Sequence, residues 1–202
     1  MFDYRYRQSL ESRIQLAACR LCEEQEKEVL LMAAHPGQPG GVSVAVAVMS
    51  RRSASPLRNA IRSTWATRLP QHVSLTFFVG TEPEVSIADA QFGDVVELQV
   101  PEAYSAVTMK SFAMLQWTRR VMLNLRFLVR VDDDVYWRPG PLLVQLERRA
   151  PVAYMWGNFD HGSTVVRDPS HAHFNSLEQY VEQHHPLFGD IFPPYARGSL
   201  WA

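Results

Sequence analysis

Apolar residues change their spacing along this chain, and the changes divide it. Residues 4 to 34 mix charged and apolar residues at helical intervals, ending in EEQEKEVLLMAAH, a pattern that predicts one long helix or two short ones. HPGQPGG at 35–41 breaks that pattern with two prolines and three glycines and reads as a linker. Beyond it come short β-rich runs: VSVAVAVMS at 42–50, VSLTFFVG at 73–80, GDVVELQV at 93–100 and RFLVRVD at 126–132. Helical segments lie between them, so the predicted class is α/β. The expected organisation is an N-terminal helical segment with its linker, 1–41, followed by one domain, 42–202.

SASPLRNAIRSTWATRLP predicts a helix with Ser55 as N-cap and Pro56 in the first helical position, where its missing N–H is harmless. Arg58 and Arg62, four apart, project from one face of its first turns. Spacing alone favours a solvated basic face; the alternative is a phosphate contact, since guanidinium forks match phosphate oxygens near a helix N-terminus. SAVTMKSFAMLQWTRRVMLNL at 105–125 predicts a second helix with apolar residues spread over most of its circumference, hence packed on more than one side. Lys110 interrupts that surface. Snorkelling to solvent is the commoner outcome for such a lysine, and pointing at an anion is the other.

RFLVRVDDDVYWRPG places Asp132, Asp133 and Asp134 directly after an apolar strand. A solvated turn accounts for them, because Asp is common where strands end. A metal does so too. If the strand stays extended through Asp134, Asp132 and Asp134 share one face and Asp133 the other. Two carboxylates a pleat apart repel unless a cation lies between them, which points to a hard divalent ion. The position agrees, since open α/β sheets bind ligands beyond the carboxyl ends of their strands. An EF-hand loop needs Gly where Trp137 stands and Glu where Leu143 stands; an aspartyl phosphatase of the haloacid dehalogenase kind needs a small residue at Tyr136; a Rossmann fingerprint needs glycines that VMSRRSASPLRN lacks. A nucleotide-sugar site, in which a metal bridges carboxylates and a diphosphate, survives these tests.

Composition narrows the partners. A formal charge of -1 over 202 residues gives no electrostatic case for nucleic acid or an anionic membrane. The longest strongly apolar run, VSVAVAVM, is too short to cross a bilayer, and MFDYRYRQ lacks the apolar centre of a signal peptide. Cys19 and Cys22 form a lone CRLC in a helical context, without the further ligands of a zinc site, and read as ordinary helix thiols. SHAHF, with His171 and His173, likewise reads as a polar surface loop.

Six blocks in order resemble the β-1,3-galactosyltransferase and β-1,3-N-acetylglucosaminyltransferase family, inverting enzymes of the GT-A type. They are RNAIRSTW, TFFVG, FGDVVELQVPEAYSAVTMKSFAMLQW, FLVRVDDDVYW, YMWGN and PPYARG, and they cover the chain from about Val42 to Gly198. The resemblance implies a GT-A-like nucleotide-sugar-binding fold with a mostly parallel sheet and flanking helices. It implies Mn²⁺ or Mg²⁺ held by Asp134 and Asp132, and nucleotide-sugar contacts from Asp133, Arg58, Arg62 and Lys110. The implied partners are a UDP-sugar donor and a glycan or glycoprotein acceptor, with transfer of a hexose or N-acetylhexosamine to an acceptor hydroxyl and inversion. The implied location is the lumenal side of the Golgi membrane, through an anchor that residues 1–41 do not carry, so a longer native N-terminus is expected.

The departures from the family pattern are specific. Ala106-Val107 replace the usual Asn-Leu, no cysteine follows Trp117, and the stretch 159–192 is enlarged and rich in histidine. The family's catalytic base lies in an acidic segment after Pro-x-Tyr-x-x-Gly; it is expected beyond Ala202, and no catalytic residue is assigned within the chain. A UDP-sugar-binding protein without transfer activity is therefore the alternative, and a metal-dependent phosphoesterase is a weaker one.

Overall fold

The computed structural model describes residues 43–150, 154–171, 174, 192, 195–198 and 200–202. The expected N-terminal helical segment and linker, with Cys19 and Cys22, lie outside the described residues, as does His173.

β1 (Val44–Met49) is VAVAVM, and all six residues are buried. A strand of β-branched residues and alanine without polar alternation suits a position covered on both faces, and β1 has one. Parallel β2 (Val73–Thr81) pairs along one edge of it and parallel β4 (Phe127–Asp132) along the other, with β3 (Val95–Pro101) outside β2. β7 (Leu200–Trp201) closes the other edge antiparallel to β4, giving the order β3-β2-β1-β4-β7. β5 (Asn158–Asp160) and β6 (Tyr195–Arg197) form a separate antiparallel pair. The four strands expected from the sequence are the four parallel ones. The sheet is mixed and mostly parallel, with helices flanking it.

Parallel strands need crossovers, and the helices that make them cover both faces. On one side α1 (Ser55–Ser63) and α3 (Pro139–Glu147) bring Ile61, Leu142, Leu143 and Leu146 onto Val46, Val48, Phe77, Val129 and Val131. Trp65, in a 3₁₀ turn after α1, meets Trp137 edge to face at 5.5 Å. On the other side α2 (Val107–Val121) packs Ala113 and Met114 against Phe78, Val96, Leu98 and Val100.

Local details differ from the sequence expectations. Ser55 is the first residue of α1; Ala54 precedes it as cap with no side-chain hydrogen bond. α2 buries Lys110, Ala113, Met114 and Thr118, a stripe at helical spacing, while Leu115 and Val121 are 41% and 42% exposed. The sheet lies on one side of the helix, so one face is buried rather than most of the circumference. Gly80 lets β2 approach the exit of β3: a Cβ there would sit 2.6 Å from the Val100 carbonyl oxygen. The same closeness lets the Gly80 N–H donate to Glu102 Oε2 at 2.7 Å.

Arg58 and Arg62 form neither the solvated basic face that their spacing favours nor, in this structure, the nucleotide-sugar contacts that the family resemblance implies; both are engaged with carboxylates. Arg58 is fully buried. Its Nε and Nη2 donate to the two oxygens of Asp89, Nη1 to Ser50 Oγ and the Arg51 carbonyl, and Nη2 also to the Arg52 carbonyl. A guanidinium has five N–H donors, and every one is used, so none remains for a phosphate. Arg62 forks onto Asp94 at 2.8 and 2.6 Å, reaches Asp89 at 2.7 Å, and lies over the rings of Phe77 and Phe92. Burial opposes ionisation of Asp89, but hydrogen bonds from Arg58 and Arg62, followed by their charges, prevail and hold its carboxyl at about 2 against an ordinary 3.8. Two arginines thus clamp α1 to the segment entering β3.

Replacing Asp89 by Asn leaves the buried Arg58 charge without its counter-ion. Urea unfolding of Asp89→Asn is expected to show a loss of about 3–5 kcal/mol, as for other broken buried pairs; a loss below about 1 kcal/mol would show that the clamp is not needed. Because the folded carboxyl is depressed, its contribution is complete above the unfolded value near 3.8 and is lost as pH falls through about 2. Wild-type stability should therefore decline between about pH 4 and pH 2, and the Asn variant should lack that component.

Candidate nucleotide-sugar site

The register places the ends of β1 and β4 side by side, Met49 opposite Asp132. This is where strand order reverses, with β2 on one side of β1 and β4 on the other, the usual location of a ligand crevice in an open α/β sheet. A cavity of about 630 Å³ opens there. Its lining includes Ser50 and Arg51 after β1, Glu102 and Tyr104 after β3, Lys110 of α2, Arg130 and Asp132 of β4, and Asp133 and Asp134 just after it. Asp132, Asp133, Asp134 and Lys110, four of the residues expected at a site, are thus brought together; Arg58 and Arg62 are not among the residues lining the cavity.

The aspartates do not continue the strand. β4 ends at Asp132, and Asp133 and Asp134 form a turn in which the Val135 N–H faces the Asp132 carbonyl at 3.4 Å. Strict alternation would have sent Asp133 to the side of Val129 and Val131, both fully buried. An ionised carboxylate in that core would be heavily penalised, and the turn carries it to the cavity instead. All three carboxylates line one space, so the shared face comes from the bend and not from a spacing of two.

Each carboxylate has a different setting. Asp132 accepts from Arg130 Nη2 at 2.6 Å. Asp133 Oδ2 accepts from the Ser50 hydroxyl at 2.7 Å. Asp134 is exposed and makes no hydrogen bond or ion pair with the described residues. Trp65 holds the turn from below, its Nε1–H donating to the Val135 carbonyl at 3.1 Å. The tryptophan that packs the core beside α1 thereby fixes the chain just after the acidic residues.

Lys110 neither snorkels nor stands free. It is 6% exposed, and Nζ donates to the Ser50 carbonyl at 2.6 Å and to Glu102 Oε1 at 2.7 Å. Burial lowers its pKa; Glu102 and then Asp133 work against that, and Arg51 adds to it, for a net lowering. Glu102 is held by Lys110 and by the Gly80 N–H. Gly198, at φ +93°, bends the chain between β6 and β7 and offers its carbonyl to Arg130 Nη1 at 3.3 Å. A side chain is disfavoured at that φ.

Ser50, Glu102 and Arg130 are site residues that pattern reading passed over. Ser50 and Glu102 each stand at the end of a parallel strand, which is the one signal that could have singled them out. The carboxylates at the cavity are Asp132, Asp133, Asp134 and Glu102, and among the described residues no three His, Cys, Asp or Glu side chains are grouped so that they could hold a metal ion.

The family model described as Galactosyltransferase matches residues 57–202. An acetylgalactosaminyl-O-glycosyl-glycoprotein beta-1,3-N-acetylglucosaminyltransferase of Mus musculus is 29% identical over 80% of this chain and 44% of its own length. Beta-1,3-galactosyltransferase 9 of Homo sapiens is 28% identical over 67% of this chain and 40% of its own. Beta-1,3-galactosyltransferase 6 of Mus musculus is 33% identical over 57% of this chain and 40% of its own. The chain spans less than half the length of these relatives. The family match begins in α1 and runs through the acidic turn to the last strand, so it takes in most of the sheet and of the cavity lining, and on that ground the chain belongs to the galactosyltransferase family.

Proposed function

We propose that this chain carries the donor-binding portion of a β-1,3-glycosyltransferase, which transfers a hexose or N-acetylhexosamine from a UDP-sugar to a glycan or glycoprotein hydroxyl with inversion. The observation that carries the proposal is the cavity at the β1/β4 switch, with three adjacent carboxylates, two of them tethered and Asp134 exposed. The relatives are named as β-1,3-transferases of galactose, N-acetylglucosamine and N-acetylgalactosamine, which supports the linkage and leaves the sugar open. A lumenal Golgi location is part of the same proposal, in keeping with the family resemblance; among the described residues no helix is long and apolar enough to cross a membrane.

The chemistry follows from the residues present. The carboxylate oxygens at the cavity would fit a hard divalent ion such as Mn²⁺ or Mg²⁺. Asp134 and Asp132 would hold it. When bound, the ion would neutralise charge developing on the departing diphosphate. Arg130 orients Asp132, and Lys110, braced by Glu102, adds positive potential at the cavity wall. Asp133 presents its carboxylate towards the cavity for a ribose hydroxyl.

Calorimetric titration of UDP, with Mn²⁺ and with EDTA, tests the assignment. Asp134→Asn preserves shape and removes charge, and is expected to lower the Mn²⁺-dependent affinity tenfold or more, about 1.4 kcal/mol. Asp133→Asn is expected to lower affinity equally in Mn²⁺ and in EDTA, as a metal-independent contact would. UDP binding indifferent to Mn²⁺, or unaltered by Asp134→Asn, would reject the metal site. Donor binding without transfer to any β-1,3 acceptor would leave the chain a binding protein.

A further inference from the structure

Ser50 joins two systems that would otherwise be separate. Its hydroxyl accepts from Arg58 Nη1 at 3.0 Å and donates to Asp133 Oδ2 at 2.7 Å. The direction is forced. A guanidinium only donates, so the oxygen must accept from Arg58, and its single proton is left for another acceptor. The Arg51 carbonyl at 3.4 Å is a poor competitor for that proton. Ser50 is 3% exposed, and its main chain is fixed by the neighbouring strand and by α2: the N–H donates to the Phe78 carbonyl of β2 at 3.0 Å and the carbonyl accepts from Lys110. The hydroxyl is therefore a stationary donor aimed at one oxygen of a carboxylate on a turn.

We propose that Ser50 is a positioning residue of the donor site: by holding Asp133 Oδ2 it leaves Oδ1 available to the nucleotide and transmits the rigidity of the buried Arg58–Asp89 pair to the acidic turn. The proposal rests on the UDP-sugar site described above. Without the hydroxyl, Asp133 keeps its charge but loses its fixed orientation, and the ordering must be supplied on binding.

The test is a double-mutant cycle read by UDP titration in Mn²⁺, at a temperature where circular dichroism shows every variant folded. Ser50→Ala is expected to lower affinity about tenfold, the size of a lost hydrogen bond to a charged group. Ser50→Thr, which retains the hydroxyl, is expected to restore most of it. In the Asp133→Ala background, which has no side-chain oxygen to accept from Ser50, Ser50→Ala should cause no further loss, which a general weakening of the fold would not reproduce. Wild-type UDP binding combined with full affinity in Ser50→Ala, with no rescue by Thr, or with losses that multiply in the double variant, would overturn the positioning role alone. Failure of the wild type to bind UDP would overturn the donor site and this proposal together.

Discussion

A guanidinium with no access to solvent is the constraint around which this site is arranged. Burying the Arg58 charge requires a carboxylate and acceptors for all five N–H groups, and the chain supplies them from three places. Asp89 comes from the segment before β3, two carbonyls come from residues 51 and 52 after β1, and the last acceptor is the Ser50 hydroxyl. Satisfying one side chain therefore fixes the exit of β1, the entry to β3 and one anchor of the cavity. Arg62 reinforces the arrangement by sharing Asp89 and taking Asp94.

On this base the cavity assembles from strand ends. β1 and β4 run in register to Met49 and Asp132, so whatever follows each strand meets its neighbour. After β1 comes Ser50; after β4 comes the acidic turn; after β3 comes Glu102, reached from α2 by Lys110. Carboxylates and cations pair on the wall, Asp132 with Arg130 and Glu102 with Lys110. Asp134 is the carboxylate left exposed without a partner among the described residues. A polar cavity whose own charges are paired to this extent keeps one open acidic position.

Much of the fold was legible because local pattern and tertiary position agree. The run VAVAVM has no polar position, so only a strand covered on both faces accommodates it. The punctuation of prolines and charged turns separated the four parallel strands and two of the helices. α3 was overlooked: RPGPLLVQLE is short and opens on Pro-Gly-Pro, which resembles a loop until its leucines meet the sheet. β5, β6 and β7 hold two or three residues each, too few for a periodicity to register.

The sequence by itself determined that three consecutive carboxylates end a buried strand of an α/β sheet, and that ordered blocks shared with one family surround them. Covalent adjacency and hydrophobic period are local properties, written residue by residue. Only the tertiary structure decided which charges face the cavity and which are consumed inside the protein. Arg58 and Arg62, whose spacing favours a solvated basic face and which the family resemblance implies at the nucleotide-sugar, lie against Asp89 and Asp94, 31 and 32 positions further along, and Ser50 meets Asp133 across 83. Whether a charged side chain is free depends on partners that folding brings from far along the chain, and no spacing within a helix or strand records them.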